Sequence, residues 1–430
     1  PPERAAQITR VPADKIKQAA VMYATTKPAK IGFSPSATTQ TTNGVQNQRA
    51  MILLTAITGN LSVPGGNGCF PRPFPMSDIT LHDRVESMPP GLGADRFPVW
   101  TRLSRQMQAN VLSDRIESGQ PYPIKGFFGS GIHLACFPNT NRFIKNIQKL
   151  DFVVVTEYFL TPGTEYADIV MPISSWWERN MLIVPPYSGP IAKVTEPVIE
   201  PLGETWPEWK IIFELGKRLG LGDEFWGGDL NKCLSEVFKP AGLTPEEIMK
   251  HPEGVPFSSP PNPPRNYEKE GFHTPSGKVE IASSILAQHG YDALPVYREP
   301  AEGPVSRPDL LKDFPLVLTT GVRLLPYTGT RYRNVPQLNR MAPEAVAEIN
   351  PSDATPRGIK SGDRIIIRSP RGSIKLKAEV TDKILAGVVM APYEWSGEAN
   401  VNIIVDDQNL DPISGYAPMK SQLCQVLKAD

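Results

Sequence analysis

The hydrophobic pattern of the first sixty residues predicts two helices and a short extended run. In residues 12–24 apolar side chains recur every three or four positions, which is typical of a helix, and a second helix is predicted at 43–58. A short extended run, 29–33, lies between the two helices, and Gly59-Asn60 ends the second one. The first sixty residues therefore predict an α/β arrangement.

A clearer strand–helix–strand unit follows. Residues 124–128 and 151–159 are apolar runs bounded by turn residues, which predicts two buried strands, and a helix is predicted between them at 140–150. A third strand is predicted at 168–172 and a closing helix at 206–219. Because strands alternate with helices, we expect a parallel sheet whose ligands bind beyond the carboxyl ends of its strands.

The last 160 residues or so have a different pattern. Short strands are predicted at 316–320, 364–368, 373–380 and 387–392, separated by turns rich in glycine and proline and by few helices. This pattern is typical of a β-rich, barrel-like domain. The predicted fold class is therefore α/β, with a parallel-sheet domain followed by a β-rich carboxyl-terminal domain.

Charge and hydropathy exclude two classes of function. The chain has 45 Lys plus Arg against 45 Asp plus Glu, and these charges are interspersed along its length. A protein that binds nucleic acid normally carries a basic excess or a basic stripe, so we expect no nucleic-acid partner. No stretch approaches the roughly 18 apolar residues that a membrane span needs, so we expect no direct span either.

The cysteines and histidines give no sign of a metal site. The four cysteines lie far apart, and neither they nor the five histidines show the paired spacing of zinc or iron–sulfur ligands. We therefore predict no metal ligand in these 430 residues. The chain opens with Pro-Pro-Glu-Arg rather than Met, from which we expect it to be part of a longer protein.

The turn after the predicted strand 124–128 is the first candidate ligand site. Gly129, Ser130 and Gly131 could bring backbone N–H groups close to a phosphate, and Glu157 lies where the next strand is expected to end. A carboxylate there would suit a guanine base, which offers two adjacent donors. Two glycines at a tight turn also have a purely structural explanation, and Glu157 could instead cap a helix or lie in solvent.

A series of short motifs in chain order resembles the prokaryotic molybdopterin oxidoreductases, the family of dimethyl sulfoxide reductase and formate dehydrogenase. The match extends over nearly all 430 residues. The motifs are Val11-Pro12-Ala13-Asp14-Lys15-Ile16, Asn43-Gly44-Val45-Gln46-Asn47, Gly59-Asn60 through Pro64-Gly65-Gly66, Tyr166-Ala167-Asp168-Ile169-Val170-Met171-Pro172, Thr274-Pro275-Ser276-Gly277-Lys278-Val279-Glu280, Thr320-Gly321-Val322-Arg323, Asn350-Pro351-Ser352-Asp353-Ala354 with Gly358-Ile359 and Gly362-Asp363, and Asn400 with Asn402.

The resemblance implies a cofactor. Members of this family hold molybdenum or tungsten between two molybdopterin guanine dinucleotides, and this chain resembles only their carboxyl-terminal part. The iron–sulfur motif and the residue that ligates the metal lie upstream in relatives, so we expect this fragment alone to be inactive. In its full-length form it would carry out two-electron redox chemistry on a small molecule, with a possible iron–sulfur electron-transfer subunit, in anaerobic respiration. The resemblance implies a bacterial or archaeal source, either cytoplasmic or periplasmic.

The resemblance also assigns roles to residues. One group matches the nucleotide site of the α/β domain, a second lies where relatives contact a pterin, and a third occupies similar cofactor-facing loops. The groups are Gly129, Ser130, Gly131, Thr156 and Glu157; Thr320, Gly321 and Arg323; and Asn400, Asn402 and Lys420. Glu157 stands where many relatives have Asp, and Gly129-Ser130-Gly131-Ile132 departs from their Gly-x-Asn-Pro-like turn.

The resemblance and the hydrophobic pattern together predict four segments. These are a partial α/β domain (1–66), an α/β dinucleotide-binding domain (67–220), a connector (221–271) and a barrel-like, double-psi type domain that binds molybdopterin dinucleotide (272–430). The alternative function is a non-catalytic scaffold subunit that retains the fold without the metal centre. A generic nucleotide-dependent dehydrogenase is disfavoured because the chain has no complete GxGxxG motif.

Overall fold

The structure is a computed structural model. It describes residues 1–34, 36–68, 74–80, 88–184, 191–256, 263–321, 324, 326–327, 330–393 and 395–429. Arg323, one of the predicted cofactor residues, and Cys69 lie outside the described residues.

Helices are distributed along the whole chain. In the described residues the α-helices are α1 (Pro2–Thr9), α2 (Ala13–Thr25), α3 (Gly44–Ile57), α4 (Pro98–Ser104), α5 (Leu112–Ser118), α6 (Thr140–Ile147), α7 (Glu208–Arg218), α8 (Leu230–Phe238), α9 (Pro245–Met249), α10 (Tyr267–Glu270), α11 (Ser284–Gln288), α12 (Pro336–Asn339) and α13 (Pro351–Ala354). None of them is long and apolar enough to cross a membrane.

In the part of the chain that the structure describes, the strands form three sheets. They are β1 (Gly126–Ser130), β2 (Phe152–Glu157), β3 (Ile169–Pro172), β4 (Met181–Ile183), β5 (Ile191–Thr195), β6 (Val255–Pro256), β7 (Leu316–Thr320), β8 (Val346–Ile349), β9 (Arg364–Ser369), β10 (Gly372–Val380), β11 (Val388–Ala391) and β12 (Gln422–Lys428). The three sheets are β1-β2-β3, β4-β5-β6 and a closed barrel in the order β10-β8-β11-β7-β12-β9.

The chain divides into two compact units. One comprises Pro1–Phe33, Arg49–Ser87 and Pro172–Ser284, and the other comprises Ser34–Gln48, Met88–Met171 and Ile285–Asp430. Each unit is thus assembled from three separate stretches of sequence. The prediction of four consecutive segments concerns function as well as folding, and it stays a prediction.

In the first unit, the antiparallel sheet β4-β5-β6 packs against short helices. Alternate residues of β5, Ala192 and Val194, are buried with Leu234 and Phe238 of α8 and Ile248 of α9. Because strand side chains alternate between the two faces, one face of β5 supplies this core. A capping box between Thr244 and Glu247 satisfies the backbone at the start of α9.

The run 29–33, expected to be extended, is not assigned as a strand. Asparagine side chains bind its backbone instead: the amide N–H of Ala29 donates to Asn60 Oδ1 at 3.1 Å, and that of Ile31 donates to Asn67 Oδ1 at 2.9 Å. Asn67 Nδ2 returns a bond to the carbonyl of Ile31 at 2.8 Å. These side chains take the place of a neighbouring strand, so a hydrophobic pattern could not reveal the pairing.

The second unit contains the parallel sheet that the sequence predicts. β1 and β2 run parallel, with Ser130 opposite Thr156. Val153 and Val155 of β2 are buried against Phe143 and Ile147 of α6, whose four-residue spacing places both side chains on one helix face. The prediction of a mixed α/β fold with a parallel sheet is confirmed.

The same unit contains the β-barrel. Parallel pairs (β10 with β8, β11 with β7) combine with antiparallel pairs, and β12 closes the barrel by pairing with both β7 and β9. Its interior is filled by alternate strand residues such as Leu318, Ile367, Leu376 and Val426, all of them buried. The four predicted strands correspond to β7, β9, β10 and β11, whereas β8 and β12 are not predicted by the sequence pattern.

Candidate functional site

The first group of predicted residues lies at the carboxyl end of two neighbouring parallel strands. Gly129 and Ser130 are the last residues of β1, and Thr156 and Glu157 are the last residues of β2. Gly129 and Ser130 were expected to form the turn after the strand, and the structure corrects this: β1 runs to Ser130, because its pairing with β2 continues to Thr156. The edge formed by these strand ends is where open parallel sheets bind their ligands.

Gly131 follows β1 with a φ of 76°, in the left-handed region that favours glycine. A Cβ on Gly131 would collide with Oε1 of Glu157. The missing side chain therefore allows the carboxylate of Glu157 to lie directly against the turn. Both residues are predicted from the sequence, and they lie close together in the structure.

Oε1 of Glu157 is buried and has no hydrogen-bond partner in the described part of the chain. In the residues that the structure describes, Oε1 neither caps a helix nor lies in solvent. A buried acceptor left unpaired costs roughly 1–3 kcal/mol, so such atoms are normally satisfied. A ligand that offers N–H donors at this edge would satisfy it.

Asn400 and Asn402 lie against the loop that follows Gly131. Nδ2 of Asn400 donates to the carbonyl of Leu134 and to Oγ1 of Thr140, at 3.2 Å each, and Nδ2 of Asn402 donates to the carbonyl of Ala135. Both asparagines are almost fully buried. They were expected to face a cofactor from the barrel side, and here their amides fix the loop 131–136.

Oδ1 of Asn402 and Oγ1 of Thr161 are also buried without a partner in the described chain. Thr161 begins the turn that contains Gly163, and a Cβ on Gly163 would collide with the carbonyl of Ile132. Both polar groups thus come from segments that pack against the loop 131–136. With Oε1 of Glu157, they leave three unsatisfied polar atoms on residues next to this loop.

A second site lies at the end of barrel strand β7. Thr320 ends that strand, and its carbonyl accepts a hydrogen bond from Nζ of Lys420 at 2.5 Å. Gly321 follows with a φ of 97°, and a Cβ there would collide with the Lys420 ammonium. Three predicted residues therefore meet at one point.

The Lys420 ammonium is half-buried, and burial lowers its pKa. Among the ion pairs of the described residues, none joins Lys420 to a carboxylate. A half-buried cation without a carboxylate can pair with an incoming anion such as a phosphate oxygen. Arg323, predicted to serve the same purpose, lies outside the described residues.

A charged cluster around Arg142 is not predicted from the sequence. Arg142 of α6 donates to Asp114 and Glu117 of α5 and to Asp407. These hydrogen bonds raise the pKa of the Arg142 guanidinium and lower that of the Glu117 carboxyl. No local motif could identify the cluster, because its partners lie 25 to 265 residues away in sequence.

His133 is one of the five histidines, and it lies in the loop that follows β1. Its Nε2 lies 3.4 Å from the point where a Cβ of Gly131 would stand, so it borders the space next to Glu157. Nowhere in the described residues do three or more His, Cys, Asp or Glu side chains converge as a metal site would require.

Comparison with known proteins gives two family matches. Residues 19–218 match the profile described as Molybdopterin oxidoreductase, and residues 316–423 match the Molydopterin dinucleotide binding domain. The first match includes the Gly131–Glu157 site, and the second includes Thr320, Gly321 and Lys420.

The similar proteins are considerably longer than this chain. Acetylene hydratase of Syntrophotalea acetylenica is 30% identical over 98% of this chain and 63% of its own length. Dopamine dehydroxylase of Eggerthella lenta is 26% identical over 100% and 52%, and dimethyl sulfoxide reductase DmsA of Escherichia coli is 28% identical over 99% and 57%. The solved structure of acetylene hydratase from Pelobacter acetylenicus superposes with a TM-score of 0.88 at 28% identity, covering all of this chain and 65% of that one. This chain therefore spans about half to two thirds of the length of these relatives.

Proposed function

Because this chain belongs to the prokaryotic molybdopterin oxidoreductase family, we propose that it binds molybdopterin guanine dinucleotide and forms the cofactor-holding carboxyl-terminal part of a molybdenum or tungsten enzyme. The observation that carries this proposal is the buried, unpaired Oε1 of Glu157 beside Gly131. A nucleotide base at this edge of the parallel sheet would supply the missing donor.

The chemistry of the base favours guanine. An ionised carboxylate only accepts hydrogen bonds, and the Watson–Crick edge of guanine offers two adjacent donors, N1–H and the N2 amino group. Adenine and cytosine lack such a pair.

The barrel end supports the second part of the proposal. Lys420 beside Thr320 and Gly321 can pair with a pyrophosphate or another anionic group of a dinucleotide, and Arg323 follows Gly321 by two residues in sequence. We assign the barrel to the double-psi type, which its six strands and mixed parallel and antiparallel pairing support. Two cofactor molecules per enzyme remain part of the proposal.

When bound, the metal between the pterins supplies two-electron redox chemistry, and the residues of this chain bind and orient the cofactor. We propose an oxidoreductase acting on a small molecule, with the iron–sulfur cluster outside this chain and a possible electron-transfer subunit as partner. One relative is named a hydratase, so the family fold also serves a reaction class other than redox. The alternative, a scaffold subunit without a metal centre, is separated from this proposal by the metal and pterin content of the protein isolated from its natural host.

The first prediction tests the guanine assignment. Glu157→Gln keeps one acceptor but turns an amide donor toward the donors of the base, so we expect guanosine 5′-monophosphate (GMP) to bind roughly fivefold to a hundredfold more weakly. Glu157→Asp keeps the carboxylate and should retain most of the affinity. Titration calorimetry or NMR titration of the purified chain measures both.

The control is Glu379→Gln, the same chemical change at an exposed position of β10. It should leave the affinity for GMP unchanged. Equal affinity of the native chain and Glu157→Gln for GMP would show that Glu157 does not read the base.

A further inference from the structure

We propose that His133 completes the recognition of guanine by donating a hydrogen bond from Nε2 to O6 of the base. This inference rests on the proposed function, because it assigns to His133 the one position on the guanine edge that a carboxylate cannot serve. Glu157 accepts hydrogen bonds only, whereas O6 is itself an acceptor and needs a donor.

The position of His133 carries the inference. Its Nε2 and Oε1 of Glu157 border the same point, the missing Cβ of Gly131, with Nε2 at 3.4 Å from it. Because Oε1 has no partner, the imidazole does not use its proton on that atom. The two side chains therefore place an imidazole nitrogen and a carboxylate oxygen side by side, without pairing with each other through Oε1.

The guanine edge has a matching order of groups. O6 stands next to N1–H, and N1–H stands next to the N2 amino group, so one acceptor lies beside two donors. Glu157 would accept from N1 and N2, and His133 would donate to O6. Both the imidazolium and the neutral tautomer protonated on Nε2 can make this bond.

The surroundings of His133 suit a ligand contact better than a packing role. The residue is exposed and stands just before the 3-10 turn Leu134–Cys136, whose carbonyls at Leu134 and Ala135 are held by Asn400 and Asn402. The two asparagines thus hold the backbone next to His133, while the imidazole ring remains accessible. A residue held this way can contact a ligand at low cost in conformational entropy.

The test uses three nucleotides: GMP, 6-thio-GMP, which replaces O6 by sulfur, a weak acceptor, and inosine 5′-monophosphate (IMP), which lacks the N2 amino group. We expect the native chain to bind GMP about two- to tenfold more tightly than 6-thio-GMP, the effect of one hydrogen bond. His133→Phe should abolish that preference and leave the preference for GMP over IMP unchanged. Glu157→Gln should abolish the preference for GMP over IMP and leave the preference for GMP over 6-thio-GMP unchanged.

His133→Gln provides a second check, because an amide N–H can replace the imidazole donor and should restore part of the preference for GMP over 6-thio-GMP. His273→Phe, at an exposed position, is the control and should change neither ratio. A preference for GMP over 6-thio-GMP that survives in His133→Phe would overturn this inference alone. Failure of the native chain to bind any of the three nucleotides would overturn the proposed function and this inference with it.

Discussion

Gly131 is the residue on which the proposed nucleotide site depends most closely. Its φ of 76° and the proximity of the Glu157 carboxylate impose two separate constraints on the same position. The first concerns the backbone and would apply to any side chain, whereas the second concerns the ligand site itself.

We predict that Gly131→Ala reduces both stability and nucleotide affinity. The strained φ should cost on the order of 1 kcal/mol, and the new methyl group would displace the Glu157 carboxylate from its position. Urea unfolding measures the first effect and GMP titration measures the second.

Gly119→Ala separates the two effects. Gly119 has a similar φ of 65°, and a Cβ there would meet nothing within 4 Å. Gly119→Ala should therefore lose stability but keep its affinity for GMP. If Gly131→Ala bound GMP as well as Gly119→Ala does, the carboxylate would not be part of the site.

At the level of elements, the loop 131–136 contains its own 3-10 turn and is also held by hydrogen bonds from neighbouring segments. Asn400 and Asn402 bind it from the segment just before and within a short 3-10 turn, Val401–Ile404. The α/β part and the barrel part of this unit are therefore connected through buried amides, and the same residues position the loop 131–136.

We predict that Asn402→Ala loosens this loop, because it leaves the carbonyl of Ala135 without its donor. Amide hydrogen exchange at residues 133–136 should become faster, and GMP should bind more weakly by roughly the value of a buried hydrogen bond, about fivefold or more. Asn350→Ala removes a comparable bond, from Nδ2 to the carbonyl of Ile384, and should leave the loop unaffected. Unchanged exchange in Asn402→Ala would show that the loop is held by other contacts.

The hydrogen bonds from Arg142 of α6 to the carboxylates of α5 predict how stability depends on pH. Hydrogen bonds from Arg142 lower the pKa of Glu117 below its ordinary value of 4.5. The carboxylate therefore stabilises the fold above pH 4.5, and this contribution is lost as the pH falls through the lowered pKa. Glu117→Gln should be less stable than the native chain at pH 7, and the difference should shrink progressively below pH 4.5.

Urea unfolding at a series of pH values from 7 to 3 measures this difference. Glu379→Gln serves again as the exposed control and should follow the native curve. A stability difference for Glu117→Gln that stayed constant across the acid range would show that ionisation of Glu117 is not coupled to folding.

At the scale of the whole barrel, a buried ion pair contacts the closing strand β12. Arg371 forms two bonds with the carboxylate of Glu302, at 2.8 and 2.9 Å, and Oε1 of Glu302 also accepts from the amide of Leu423 in β12. The side chain of Glu302 is 5% exposed and that of Arg371 is 15% exposed, so water cannot solvate either charge in place of its partner without rearrangement.

We predict that Arg371→Met destabilises the barrel by about 3–5 kcal/mol, because it leaves a buried carboxylate without its partner. Adding Glu302→Gln removes the charge but keeps an acceptor for Leu423, and it should recover part of the loss. Thermal unfolding of the two variants measures this. If the double variant were less stable than the single one, the unpaired charge would not be the cause.

The sequence predicted the parts of the fold that depend on local pattern. The βαβ unit and strands such as β7 have short-range signals, whereas β8 and β12 are recognised only when they pair with strands distant in sequence. The site followed the same rule. Gly131 and Glu157 lie at strand ends and could be predicted, but His133 and Arg142 gain their positions from tertiary packing, which no spacing rule describes.

The position of β12 has a consequence for how the barrel forms during synthesis. β7 and β9, the strands on either side of it, leave the ribosome well before Gln422–Lys428 does. Until that segment emerges, each of them has one edge without its native neighbour, and exposed strand edges readily pair with other chains. The barrel therefore stays open in the growing chain until β12 emerges, and during that interval the edges of β7 and β9 can pair with other chains.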